Sequence, residues 1–308
     1  MSLTIIHQNQ LGQPSMLDLS HIPSTTESTY TFYATGNWQT FTKPRNAKFI
    51  QIFCLGGGGG GAAPNAGTNP NGAAGGGAGG IVRGIIPAFL LPDTLYILVG
   101  KGGIGGKINS AAGSTGGISY ISLDGTTTEQ TLICKSSTAG AVGGGVGTIT
   151  IGGPAATISV PSLSAFGNLA LLTAVAGVAG STGGTNTPTS GSSQTALATN
   201  IVTGGAGGAG KQSLLLAPGG NINSGSVLLT STVLGGQTDG ANGANGYGTL
   251  SPFCGTGGAG GGSSVAKGGN GGNGFYGYGG GGAGGSATGN VSLGGDGGDG
   301  LVIITVIS

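Results

Sequence analysis

Of 308 residues, 76 are glycine, 37% are hydrophobic and only 6% are charged, leaving a net charge of +1. Such a chain is too apolar and too weakly charged for a solvated disordered protein, and its 12 prolines and broken spacing exclude collagen. The few Lys and Arg argue against a nucleic-acid partner, which needs a basic stripe, and low net charge favours life inside an assembly.

Residues 1–28 mix Gln, Ser, Pro and scattered aliphatics without a period, which predicts an extended arm ordered by a neighbouring protein. The first residues lack a basic stretch followed by a long apolar one, so no secretory signal is expected. From residue 29 to 308 the sequence reads as one glycine-rich β domain. Tyr30, Phe32 and Ala34 alternate with polar or small residues, Gly36-Asn37 offers a turn, and Trp38 to Phe41 resumes the pattern. That predicts a hairpin, with Trp38 as a core anchor. Residues 47–55 form an apolar strand, too apolar to face water for long. Six consecutive glycines, Gly56 to Gly61, follow it directly.

Residues 64–72 read as an Asn/Pro/Gly surface tip. Further strands are expected over 81–86 and 94–99, and as a pair over 117–123 and 131–134 around Asp124-Gly125. Residues 139–250 form a Gly/Ala/Ser/Thr-rich middle that cannot be assigned strand by strand. A short helix is plausible only at 165–176, and its apolar part, 169–176, is too short to cross a bilayer. At the far end, Gly294-Gly295-Asp296-Gly297-Gly298-Asp299-Gly300 runs into the strand Leu301 to Ile307. The expected fold class is all-β: an antiparallel β-sandwich-like domain with almost no helix.

The glycine segments carry a period of three: 204–210, 268–274 and 294–300 are copies, and 240–246 is a looser relative. Three residues per turn is the polyproline-II period. Without Cβ atoms, neighbouring helices of this kind approach closely enough to exchange backbone hydrogen bonds, which satisfies otherwise buried polar groups. Ordering glycine costs the most backbone entropy of any residue, so the lattice needs flanking apolar strands. The run 56–61 is therefore expected to be the first layer of an ordered core. Its partner would be the terminal 294–307 segment, lying beside strand 47–55.

Reactive chemistry is sparse. The three cysteines, Cys54, Cys134 and Cys254, form no C-x-x-C, and Cys54 reads as a small buried hydrophobe. Gly205 to Lys211 matches a phosphate-loop spacing, but Gln212 stands where Ser or Thr is required. Asp296 and Asp299 fit a calcium-binding β-roll nonapeptide, making them weak calcium candidates, although no tandem second copy follows. His7 and His21 lie in the arm, away from any acidic cluster. No catalytic residue is nominated, no cofactor is expected, and the chain reads as a non-enzyme. Tyr247, Tyr276 and Tyr278, with Asn65, Asn69 and Asn71 of the Asn/Pro loop, are the candidate receptor-facing or subunit-facing groups.

The stretch Gly36 to Pro44, the strand Ala47 to Leu55 with its glycine run, and the closing segment Gly294 to Ile307 together resemble the glycine-rich domain of bacteriophage tail-fibre and related virion proteins. The resemblance implies a β-rich domain with packed polyglycine segments, located in the virion, often at distal fibre tips where loops contact the host. On that basis the arm 1–28 would attach to other virion proteins and the domain would form a homo-oligomer, guessed as a trimer, with a host surface receptor as a further partner and neither nucleic acid nor membrane insertion involved. The alternatives are a capsid or tail decoration protein, or an ice- or polysaccharide-binding glycine-rich protein.

Overall fold

The computed structural model describes residues 26–137, 139–145, 171–195, 202–223, 231–250, 253–287 and 290–308, together with the backbone of two strands nearer the N-terminus. Those two, β1 (Thr4–Gln8) and β2 (Pro14–Asp18), pair antiparallel. The arm is thus folded back on itself there, where an extended arm was expected.

The longer strands follow the apolar runs of the sequence: β3 (Glu27–Tyr33), β4 (Gln39–Thr42), β5 (Phe49–Leu55), β6 (Ile81–Pro87), β7 (Thr94–Leu98), β8 (Tyr120–Ser122), β9 (Leu132–Lys135) and β10 (Leu171–Val175). Shorter pieces are β11 (Gln194–Thr195), β12 (Lys211–Gln212), β13 (Leu215–Leu216), β14 (Ile222–Asn223), β15 (Gly248–Leu250) and β16 (Phe253–Gly255), and the terminal strand is β17 (Leu301–Ile307). One sheet has the order β10-β6-β5-β17-β3 and a second the order β4-β7-β8-β9, antiparallel throughout. Every second residue of β5 points inward, Ile50, Ile52 and Cys54, to meet Phe41, Leu95, Ile97, Ile121 and Ile133 of the other sheet in one core. The fold class is therefore the expected all-β sandwich. The opening and closing strands pair along their whole length, from Leu301 opposite Leu55 to Ile307 opposite Phe49.

Three local expectations are corrected. β3 and β4 do not form a hairpin: β3 pairs with β17 and β4 with β7, in different sheets. The segment between them arches across, with Gly36 at φ +82°, which lets Tyr30 and Phe32 face Phe41 edge-on at 5.1 and 6.5 Å. Side by side in one sheet, those rings could not have met across the core. Leu171–Val175, expected within a helix, is strand β10, because its partner β6 offers an open edge; the rest of that expected helix lies outside the described residues. Trp38 is half-buried beside Tyr120 at 6.5 Å and stands outside the main core.

Against one end of the sandwich stands the glycine lattice. In residues 56–63 the N–H groups point in three directions in turn. Gly56, Gly59 and Ala62 donate to Gly80, Gly77 and Ala74; Gly57, Gly60 and Ala63 donate to Gly117, Ser114 and Ala111; Gly58 and Gly61 donate to Gly298 and Gly295, all at 2.8–3.0 Å. The carbonyls of the run accept from Gly103 and Gly106, from Gly280 and Ala283, and from Gly144. The six neighbours are also bonded to one another in a ring, for instance Gly113 to Gly144, Gly117 to Lys101 and Gly295 to Gly281. The run is thus the axis of a hexagonal bundle of three-residue-per-turn helices. The segments 203–210, 256–264 and 278–285 are enclosed in the same way.

Helices at the rim carry one side chain per turn, and these side chains close the lattice. Asn242 and Asn245 Oδ1 accept from the N–H of Asn270 and Asn273; Asn270 and Asn273 Oδ1 accept from Leu293 and Asp296; Asp296 and Asp299 Oδ1 accept from Gly105 and Gly102, all at 2.7–2.9 Å. Each oxygen stands where the carbonyl of a further helix would be, so the edge is satisfied without another chain.

Candidate functional site

The lattice fixes two ends. β5, β7 and β10 lead into outgoing segments, and the returning segments feed β6 and β17. The sandwich is at one end, and the turns 64–71, 107–110, 185–190, 211–216, 238–240 and 265–267, with residues 286–287 and 290–291, lie at the other, about 25 Å away for eight residues at the polyproline-II rise.

These turns brace one another. Ala66 pairs with Ser286, and its N–H reaches Asn109 Oδ1 at 2.6 Å. Ser110 donates its hydroxyl to Asn65 Oδ1 at 2.6 Å. The tight β12–β13 hairpin clamps the 68–70 loop: Lys211 N–H reaches the Pro70 carbonyl, and Ser213 N–H reaches the Thr68 carbonyl and Asn69 Oδ1. The three non-glycine residues with positive φ among those described, Ser110, Ser213 and Asp239, all sit in these turns. Strained backbone of this kind persists only where its surroundings hold it, and here the lattice below does.

Apolar side chains project from the same end: Leu214 is 79% exposed and Ile108 70%, with Leu215 and Val265 also exposed. Beside them a cavity of about 330 Å³ is lined by Gly67, Thr68, Lys211, Ser213, Leu214, Val265 and Ala287. An exposed apolar group on a rigid loop is a recognition feature more than a packing one.

The sequence-predicted residues divide between the two ends. Asn65, Asn69 and Asn71 are in the turns, but their side-chain oxygens brace loops, Asn71 Oδ1 accepting from Asn186 N–H at 2.7 Å while largely buried. Tyr247 and Tyr276 lie at the sandwich end. The Tyr247 hydroxyl donates to the Ser231 carbonyl at 2.6 Å, and Tyr276 leans on Tyr33 and Phe275. Tyr278 is 0% exposed, packed with Leu55, Ile81 and Leu301 where lattice meets sandwich. Where a contact-surface position was expected, Tyr278 is interior: bare glycine leaves room for a ring, and the ring fills it. Burial pushes its hydroxyl well above the usual tyrosine range.

Asp296 and Asp299, the calcium candidates, each direct a carboxylate oxygen to a lattice N–H, and Asp296 also pairs with Lys107 at 2.7 Å. No group of three or more potential metal ligands occurs among the described residues. The phosphate-loop match fares differently from its motif: every N–H from Gly205 to Gly210 is bonded to a lattice carbonyl, leaving none to cradle a phosphate. Cys54 and Cys134 are buried in the core, and the Cys134 thiol together with burial raises the Cys54 thiol well above its usual range. No described helix is long and apolar enough to cross a membrane.

The apolar tip residues were missed at the sequence level, although Leu214-Leu215-Leu216 in a glycine-rich stretch with no strand period was a signal for them. No curated protein matches the chain. A family model described as a glycine-rich domain matches residues 33–306, from the end of β3 almost to the end of β17, so the chain belongs to that glycine-rich domain family.

Proposed function

We propose that this chain is a non-enzymatic structural protein of a bacteriophage particle, acting as a tail-fibre tip that attaches to the host. The supporting observation is the polarity of the molecule. Thr26 and Ser308 bond to each other where β3 begins and β17 ends, at the end of the sandwich away from the lattice. The arm therefore joins the domain about 50 Å from the loop end, adding one seven-residue strand to one lattice length. A chain anchored there to other virion proteins presents its braced loops, with Ile108, Leu214 and Leu215, outward.

A purified chain in excess is expected to block adsorption of the phage to its host, and Leu214→Asp with Leu215→Asp should fold normally but lose the block. Failure of the native chain to bind host cells or to reduce adsorption would remove this reading. A decoration role on capsid or tail is supported by a different feature. Gln51, Ile85, Leu171 and Thr173 line a shallow cavity of about 410 Å³ on the outer face of the larger sheet, available to a neighbour. Antibody labelling of intact particles separates the two, since a fibre tip stands away from the shell.

A further inference from the structure

The cavity at the loop end holds a cation that the fold does not neutralise. Lys211 is only 4% exposed, yet it lines that cavity. Its Nζ donates to the Thr68 carbonyl at 3.1 Å, and no carboxylate lies within 4.0 Å of it among the described residues. By contrast Lys43, Lys107 and Lys135 each have an acidic partner. An ammonium has three donors, and burying one without a counter-charge is unfavourable unless something supplies that charge. Thr68 and Ser213 are polar residues of the same lining, and Leu214, Val265 and Ala287 are apolar ones. At about 330 Å³ the space suits one small moiety.

We propose that this cavity binds an acidic sugar. Its carboxylate or phosphate would sit on Lys211 Nζ, its hydroxyls on Thr68 and Ser213, and its carbon edge on Leu214 and Val265. The glycine run before Lys211 takes no part, because its N–H groups belong to the lattice. The proposal rests on the loop end being the ligand-facing end, and it names what that end recognises.

The test is an NMR titration of the purified chain with glucuronate, glucose 6-phosphate and neutral glucose at constant ionic strength. Saturating shifts are expected at the Thr68, Ser213 and Leu214 amides with at least one acid, and whichever acid gives them tells carboxylate from phosphate recognition. Neutral glucose should bind at least about tenfold more weakly, a difference of about 1.4 kcal/mol. Lys211→Met and Lys211→Gln should abolish the acid-dependent shifts while melting at the same or a higher temperature, since each removes a buried uncompensated charge. Equal binding by the variants, equal binding of glucose, or no binding of either acid would overturn the site. Variants that melt lower would assign Lys211 to loop structure instead. Adsorption blocking is a separate readout: anion binding without blocking would refute host attachment and leave the site standing.

Discussion

A Cβ on Gly58 would lie well under 3.0 Å from the Tyr278 carbonyl, and one on Gly59 would do the same to Val142. Both obstacles are backbone atoms held by their own hydrogen bonds, so neither can step aside. Gly58→Val and Gly59→Val are therefore expected to abolish folding, read as loss of a cooperative urea transition. Thr115→Val, on an exposed rim position, should stay within about 0.5 kcal/mol of the parent. Alanine is tolerated where its Cβ has apolar neighbours: Ala206 and Ala259 are buried with Ile222 and Val233 in a small apolar cluster. At this scale the sequence was legible in an unexpected way. Runs without side chains, such as Gly56 to Gly61, are lattice axes, whereas Asn270/Asn273 and Asp296/Asp299, one side chain per turn, mark rim helices. The role of those polar residues was hidden. Their oxygens replace carbonyls of a helix that is not there, and no motif records a vacancy.

Elements in this molecule are stabilised from two sides. The strands bury aliphatic side chains, while the lattice helices contribute chiefly backbone hydrogen bonds, worth about 1 kcal/mol net apiece against about 1–2 kcal/mol of backbone entropy per residue. Rim caps should then have measurable weight. Removing both with Asn270→Ala and Asn273→Ala leaves the N–H groups of Leu293 and Asp296 unpaired. The expected loss is about 1–2 kcal/mol in urea unfolding, with faster exchange confined to those two amides. The junction between sandwich and lattice makes a prediction about pH. Tyr278 and Cys54 both have folded pKa values raised, Tyr278 chiefly by burial and Cys54 chiefly by its contact with the Cys134 thiol. Groups raised in the fold hold their proton there and release it more readily when unfolded, so their stabilisation is complete below the unfolded values. Melting temperature should be level up to about pH 8.5 and fall as pH rises further, because unfolded Cys and Tyr titrate near 8.5 and 10. A flat profile to pH 11 would contradict the assigned burial. Strand existence was readable from apolar runs, but the β3–β4 arch was not: alternation looks the same whether two strands share a sheet or face each other.

For the whole molecule, closure was legible and polarity was not. The apolar strand leaving the first glycine run and the one entered by the last announced that the ends of the domain meet, and β5 and β17 pair over seven residues. Deleting residues 301–308 should accordingly leave no cooperatively folded domain, as circular dichroism during a thermal scan would show. That the loops gather at one end follows only from hydrogen-bond register, which fixes the direction of each lattice helix. The loop end, with Lys211 and its apolar neighbours, could not be assembled from residues 68, 108, 211, 214 and 265 by inspection. Residues 56–63 form the axis of a hexagonal glycine lattice. Native-state amide hydrogen exchange distinguishes that axis from a tether. Gly56 through Ala63 should be among the slowest-exchanging amides in the protein, opening only with global unfolding. Exchange of these eight amides at the rate of an unpaired chain would show a tether instead and would contradict the lattice.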